Sequence, residues 1–156
     1  MKGKLLCVLC VAFLLTGCYA KGHLYPVQGP LAAEVPLPIL PATATGIFNS
    51  GSLTVTLPGG ERCKGAWKMV NRKSNSGPQA SAQPYVDLAS AWDTVYGAGF
   101  YTAHILGTRL HVHAALTGDK GSVLHVEIYR PDTTNEPVEI KGVAKDDKGN
   151  IYKVVL

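Results

Sequence analysis

Four of the five histidines fall between residues 104 and 125. "HVH" (His111 to His113) and "HVE" (His125 to Glu127) each set two metal-ligand residue types at i and i+2. On a strand that spacing puts both side chains on one face. Imidazoles with a carboxylate are a donor set for Zn²⁺ or a similar transition ion. Whether the two pairs meet depends on the register of the hairpin joining them. A two-residue turn at Asp119-Lys120 would set His113 opposite Val126 and mix polar with apolar on both faces. A three-residue loop, Asp119-Lys120-Gly121, sets His113 opposite Glu127 and Ala115 opposite His125. Val112, Ala114, Leu116, Leu124, Val126 and Ile128 then share one apolar face. Burying such a face, at roughly 1.5–3 kcal/mol per large side chain, outweighs any single polar contact. The second register is therefore expected. It gathers His111, His113, His125, Glu127 and Tyr129 on the opposite face as a candidate zinc site. The competing reading is the solvent side of a half-buried sheet, with His113 and Glu127 as an ordinary cross-strand pair. The strands are flat, and no outer hydrogen-bond partners for the imidazoles can be read from the chain.

Other reactive groups are isolated. No serine sits in a Gly-x-Ser-x-Gly setting and no glycine-rich phosphate loop follows a strand. Asp87 and Asp93 are six apart, so on a helix they point in different directions. No catalytic set emerges, and an enzyme would have to be of a type these residues do not announce.

The chain starts with a short basic head, Lys2 and Lys4, followed by an uncharged apolar run from Leu5 to Leu15. Such a run is too short to cross about 30 Å of hydrocarbon as a helix, but it suits a secretory leader. It hands over to Leu15-Thr16-Gly17-Cys18. This box resembles the lipobox of bacterial lipoprotein precursors. The resemblance implies cleavage before Cys18, a diacylglycerol on its thiol and an acyl group such as palmitate on the new amino group. Several chains anchor a protein stably where one gives only marginal attachment. Tyr19 stands where an aspartate would be the inner-membrane retention signal, so the outer membrane, facing the periplasm, is the expected location. "LPGGERCKGAW" and "GVAKDDKGNIYKV" are similar to segments of small Gram-negative lipoproteins, a likeness that brings no activity with it.

Without residues 1–17 of the 156, 139 remain, enough for one domain with a core of its own. Loss of Lys2 and Lys4 leaves 13 of the 15 basic residues against 11 acidic ones. That balance, with no basic cluster among aromatics, gives no argument for nucleic acid. Cys7 and Cys10 leave with the leader and Cys18 is modified. Cys63 then has no intramolecular partner; a buried, inert thiol is the favoured reading, a reactive thiol or a link to a partner the alternatives.

The elements that must position these residues are mostly strands. Residues 18–46 carry Pro26, Pro30, Pro36, Pro38 and Pro41 and are expected to form a tether of lipidated cysteine and semi-rigid extended chain, part of it lying across the domain as a strap. Residues 47–156 form the globular domain. "SLTVTLPGGERCKGAW" reads as a hairpin turning at Pro58-Gly59-Gly60, with Val55 opposite Cys63 and Thr54 opposite Lys64. Leu53, Val55, Leu57 and Cys63 then share a face. Residues 72–83 read as a polar loop. In "PYVDLASAWDTVYG", Pro84 and Gly97 bracket a helix whose stripe of Tyr85, Leu88, Trp92 and Val95 packs on the sheet. "GDKGSVLHVEI" and "DDKGNIYKVVL" share one turn solution, a polar tip with left-handed glycine before a return strand. The expected fold is mainly β: an antiparallel curled sheet or small barrel of about six strands with one packed helix. The expected function is a lipid-anchored, non-enzymatic binding or structural module for an envelope protein or polymer. Alternatives are a metal-binding lipoprotein using His111, His113, His125 and Glu127, and an envelope enzyme.

Overall fold

The computed structural model describes residues 18–47, 50–71, 88–106, 110–130 and 140–156. Among these residues eight strands are present: β1 (Cys18–Gln28), β2 (Leu40–Ile47), β3 (Ser50–Thr56), β4 (Arg62–Asn71), β5 (Leu110–Gly118), β6 (Val123–Tyr129), β7 (Lys141–Asp146) and β8 (Ile151–Val155). Each pairs antiparallel with the next and β8 returns to β1, closing the barrel. Among the described residues, the helix α1 (Ala89–Tyr96) and a π-helical turn at Tyr101–Ile105 lie between β4 and β5.

The closure follows from register. Cys18 pairs with Gly46, Gly46 with Gly51, Gly51 with Trp67 and Trp67 with Ala114. The row continues through Val126, Ala144 and Tyr152 and meets β1 again at Pro26, eight residues beyond its start. Eight strands sheared by eight tilt about 36° from the barrel axis, and the interior is just wide enough for side chains to fill. They do fill it. Leu24, Leu40, Leu53, Val55, Cys63, Leu116, Leu124, Val126, Tyr152 and Val154 form one buried cluster with Ala42, Ala114 and Ala144. Exposed positions on β4, at Arg62, Lys64 and Lys68, alternate with this interior set. Apolar-in and polar-out is the reverse of a barrel whose wall meets lipid.

Two hairpins keep the register read from sequence. Val55 faces Cys63 and Thr54 faces Lys64; His113 faces Glu127 and Ala115 faces His125. Gly121 and Gly149 take positive φ, 94° and 85°, at the two similar turns. Cys63 is fully buried inside the barrel.

Residues 18–46 correct the reading. They are no tether: β1 and β2 are barrel strands, and only 29–39 is connecting chain, with a 3₁₀ turn at Pro30–Ala33. Of the prolines, Pro30, Pro36 and Pro38 lie in the connection and Pro41 and Pro26 in the strands. Pro26 stands at a register shift against β8, and a proline gives up a ladder bond most cheaply at such an irregularity. Gly22, buried in this wall, has to be glycine because a Cβ there would strike the Val155 carbonyl. With β1 and β2 in the wall, the strand count rises from about six to eight.

The expected helix is present from Ala89 and ends at Gly97, whose φ is 107°. Leu88 and Trp92 are buried as its stripe implies, and Val95 packs beside them. Tyr85, Asp87 and the loop at 72–83 lie outside the described residues.

Candidate functional site

The helix does not cover a barrel end. It packs on the outer wall, where Leu88, Ala91, Trp92 and Ile105 meet Val143 and Ile151, with Tyr96, Phe100, Tyr101 and Tyr129 at the margin. Trp92, Tyr96 and Phe100 stack, ring centroids 4.9–5.8 Å apart. Lys141 and Lys153 place their ammonium groups 5.4 and 5.7 Å from the Tyr96 ring.

This second layer lands on the histidine face. Glu127 is fully buried and His111 nearly so. The Trp92 indole N–H donates to Glu127 Oε2 at 2.7 Å. His111 Nε2 stands 3.9 Å from Glu127 Oε1. His113 and His125 are diagonal neighbours across the hairpin, ring centroids 6.1 Å apart. Burial holds both below the ordinary imidazole range. For His113, Glu127 pulls the other way, while His125 and His111 push further down. Two neutral imidazoles are chemically ready to bind a metal.

The structure thus brings His111, His113, His125 and Glu127 together on one face, as the register requires. Yet among the described residues no group of three or more His, Cys, Asp or Glu is arranged to hold a metal ion. The physical reason is that ligands must converge on a point, whereas side chains on neighbouring strands stand parallel. One Glu127 oxygen is also spent on Trp92. Sequence reasoning missed Trp92 as that partner. The stripe announced a packed helix, but nothing local said which side of the sheet it would cover.

At the turn end of the barrel the chain gathers a second polar set. Glu61 accepts the backbone N–H groups of Ser122 and Lys120, at 2.9 and 3.2 Å, and the Ser122 hydroxyl at 2.8 Å. These bonds, led by the Ser122 N–H, hold its carboxyl below the ordinary carboxylate range. Lys148 Nζ reaches Ser122 Oγ at 2.9 Å. Asp146 accepts from the Asn150 backbone and side chain, each at 2.8 Å, and from the Tyr152 hydroxyl at 2.6 Å. Asn150 Oδ1 in turn accepts the Leu31 N–H. Two similar turns therefore close the same barrel end, which gives their likeness a structural purpose. A shallow cavity of about 200 Å³ lies here, lined by Leu31, Leu57, Asn150 and Tyr152 among others. Ligand pockets commonly start near 300 Å³.

Inside the barrel, the Cys63 thiol is pushed up to about 11, first by burial and then by Glu61. It is protonated and unreactive at neutral pH. Compared with family models, curated proteins and solved structures, the chain shows no match.

Proposed function

We propose that this chain is a lipid-anchored envelope protein whose barrel presents a rigid outer surface to another envelope component. The single observation that carries the reading is Leu15-Thr16-Gly17-Cys18 behind a basic head and an apolar run. The filled interior supports it, because a core packed with Leu, Val and Tyr leaves recognition to the outer wall and the loops. Cys18 is the first residue of β1, so the anchor joins the domain with no spacer. The experiment is Cys18→Ser with radioactive palmitate. The wild-type chain is expected to take label and to migrate as the shortened form. A variant that still takes label, or an unlabelled wild type, would end the reading.

A further inference from the structure

The missing spacer has a geometric consequence. If acyl chains are fixed to Cys18, the barrel end that holds Cys18 must touch the bilayer. That end is built for contact. Cys18 pairs with Gly46, Gly46 with Gly51 and Gly51 with Trp67, so the start of β1 and the end of β4 share one rim. Trp67 plugs the barrel mouth at this end from within: half-buried against the interior cluster, its indole N–H donates to the Thr45 carbonyl at 3.0 Å, and its ring lies against Gly46 and Gly51, where no Cβ would fit. At the same barrel end, Tyr19 on the outer face of β1 is 57 % exposed and Met69 near the end of β4 is 38 % exposed. Lys21 holds its ammonium 5.8 Å from the Tyr19 ring, and Lys68 is exposed on β4.

Charge points the same way. β1 to β4 contain no Asp or Glu; toward the Cys18 end they carry Lys21 and Lys68, while Arg62 and Lys64 lie at the turn end. Tyrosine and tryptophan favour the bilayer interface, and each lysine near an anionic leaflet contributes about fivefold in affinity.

We infer that this rim is a docking surface for anionic phospholipid headgroups. Tyr19, Trp67 and Met69 seat in the interfacial layer, and Lys21 and Lys68 meet the phosphates. The inference rests on acylation of Cys18. It fixes an orientation: the turn end, with Glu61 and Asp146, stands roughly 27 Å farther out, ten residues along a tilted strand.

The acylated full chain is reconstituted in phosphatidylethanolamine vesicles with and without phosphatidylglycerol, carrying headgroup-depth nitroxide lipids. Palmitate label and co-flotation report the anchor separately from the docking. Trp67 emission is expected to be quenched in the anionic vesicles, and Trp67→Phe to remove the quenched component. Lys21→Gln with Lys68→Gln is expected to shift the docked-to-undocked ratio about thirtyfold, and 1 M salt to act similarly. A fluorophore on Val35→Cys, at the turn end, is expected to stay unquenched. Labelled, co-floating protein with unquenched Trp67 would overturn the inference and leave the anchor intact. Equal quenching in the double variant would overturn it too. Iodide shielding of Trp67 that rises with protein concentration, without quenching by lipid, would overturn the inference and assign the rim to a second copy of the chain.

Discussion

Replacing Trp92 with phenylalanine probes the joint between the helix layer and the barrel. The indole N–H donates to a Glu127 carboxyl that has no exposure to water. Phenylalanine keeps much of the ring but leaves that oxygen without its donor. Stranding a buried polar partner costs about 1–3 kcal/mol, and the smaller ring adds a packing loss. Together, Trp92→Phe is expected to destabilise the fold by about 2–4 kcal/mol. Glu127→Gln keeps a side-chain carbonyl for the indole and is expected to cost about 1 kcal/mol. Urea unfolding of the two single variants and the double variant closes a thermodynamic cycle. A coupling energy of about 1 kcal/mol or more is expected, since contacting residues couple by 0.5–3 kcal/mol. If the two effects add to within about 0.3 kcal/mol, the bond contributes nothing and the placement of α1 over Glu127 is refuted.

Burial depresses His113 and His125 below 6.5, so the unfolded chain binds their protons more readily than the folded one. Their contribution to stability is complete above pH 6.5 and is lost as pH falls toward the folded values. His113→Gln with His125→Gln is expected to flatten unfolding free energy between pH 7 and about pH 5, measured by urea titration at each pH. Glu61 runs on the carboxylate side: its stabilisation holds above the unfolded value of 4.5 and fades as pH falls through its lower folded value. Glu61→Gln is expected to remove that acid sensitivity in thermal melts. Cys63 is expected to resist a disulfide reagent at pH 8 until denaturant is added, because the thiol is both fully buried and protonated; fast labelling of the native protein would contradict the filled barrel. Zinc titration by calorimetry is expected to show no binding tighter than about millimolar, given parallel rather than converging ligands.

Sequence alone determined the parts whose partners lie close along the chain. Val55 against Cys63 and His113 against Glu127 follow from alternation plus a short glycine turn, because slipping by one residue would turn every apolar side chain to water. The burial of Cys63 and the clustering of the histidines came with those registers. Closure was decided only in three dimensions. β1 is bonded to β8 through pairs such as His23 with Val155, and around Leu24 its inward positions are small or proline, at Ala20, Gly22 and Pro26, too few large apolar residues to show a stripe. Gly22 is used because the β8 backbone at Val155 fills the space, which a linear reading cannot see. Trp92 meeting Glu127 is likewise a contact across two layers. It converts an expected open sheet face into a covered one, since the side on which a helix settles depends on total burial across the whole barrel rather than on its own stripe.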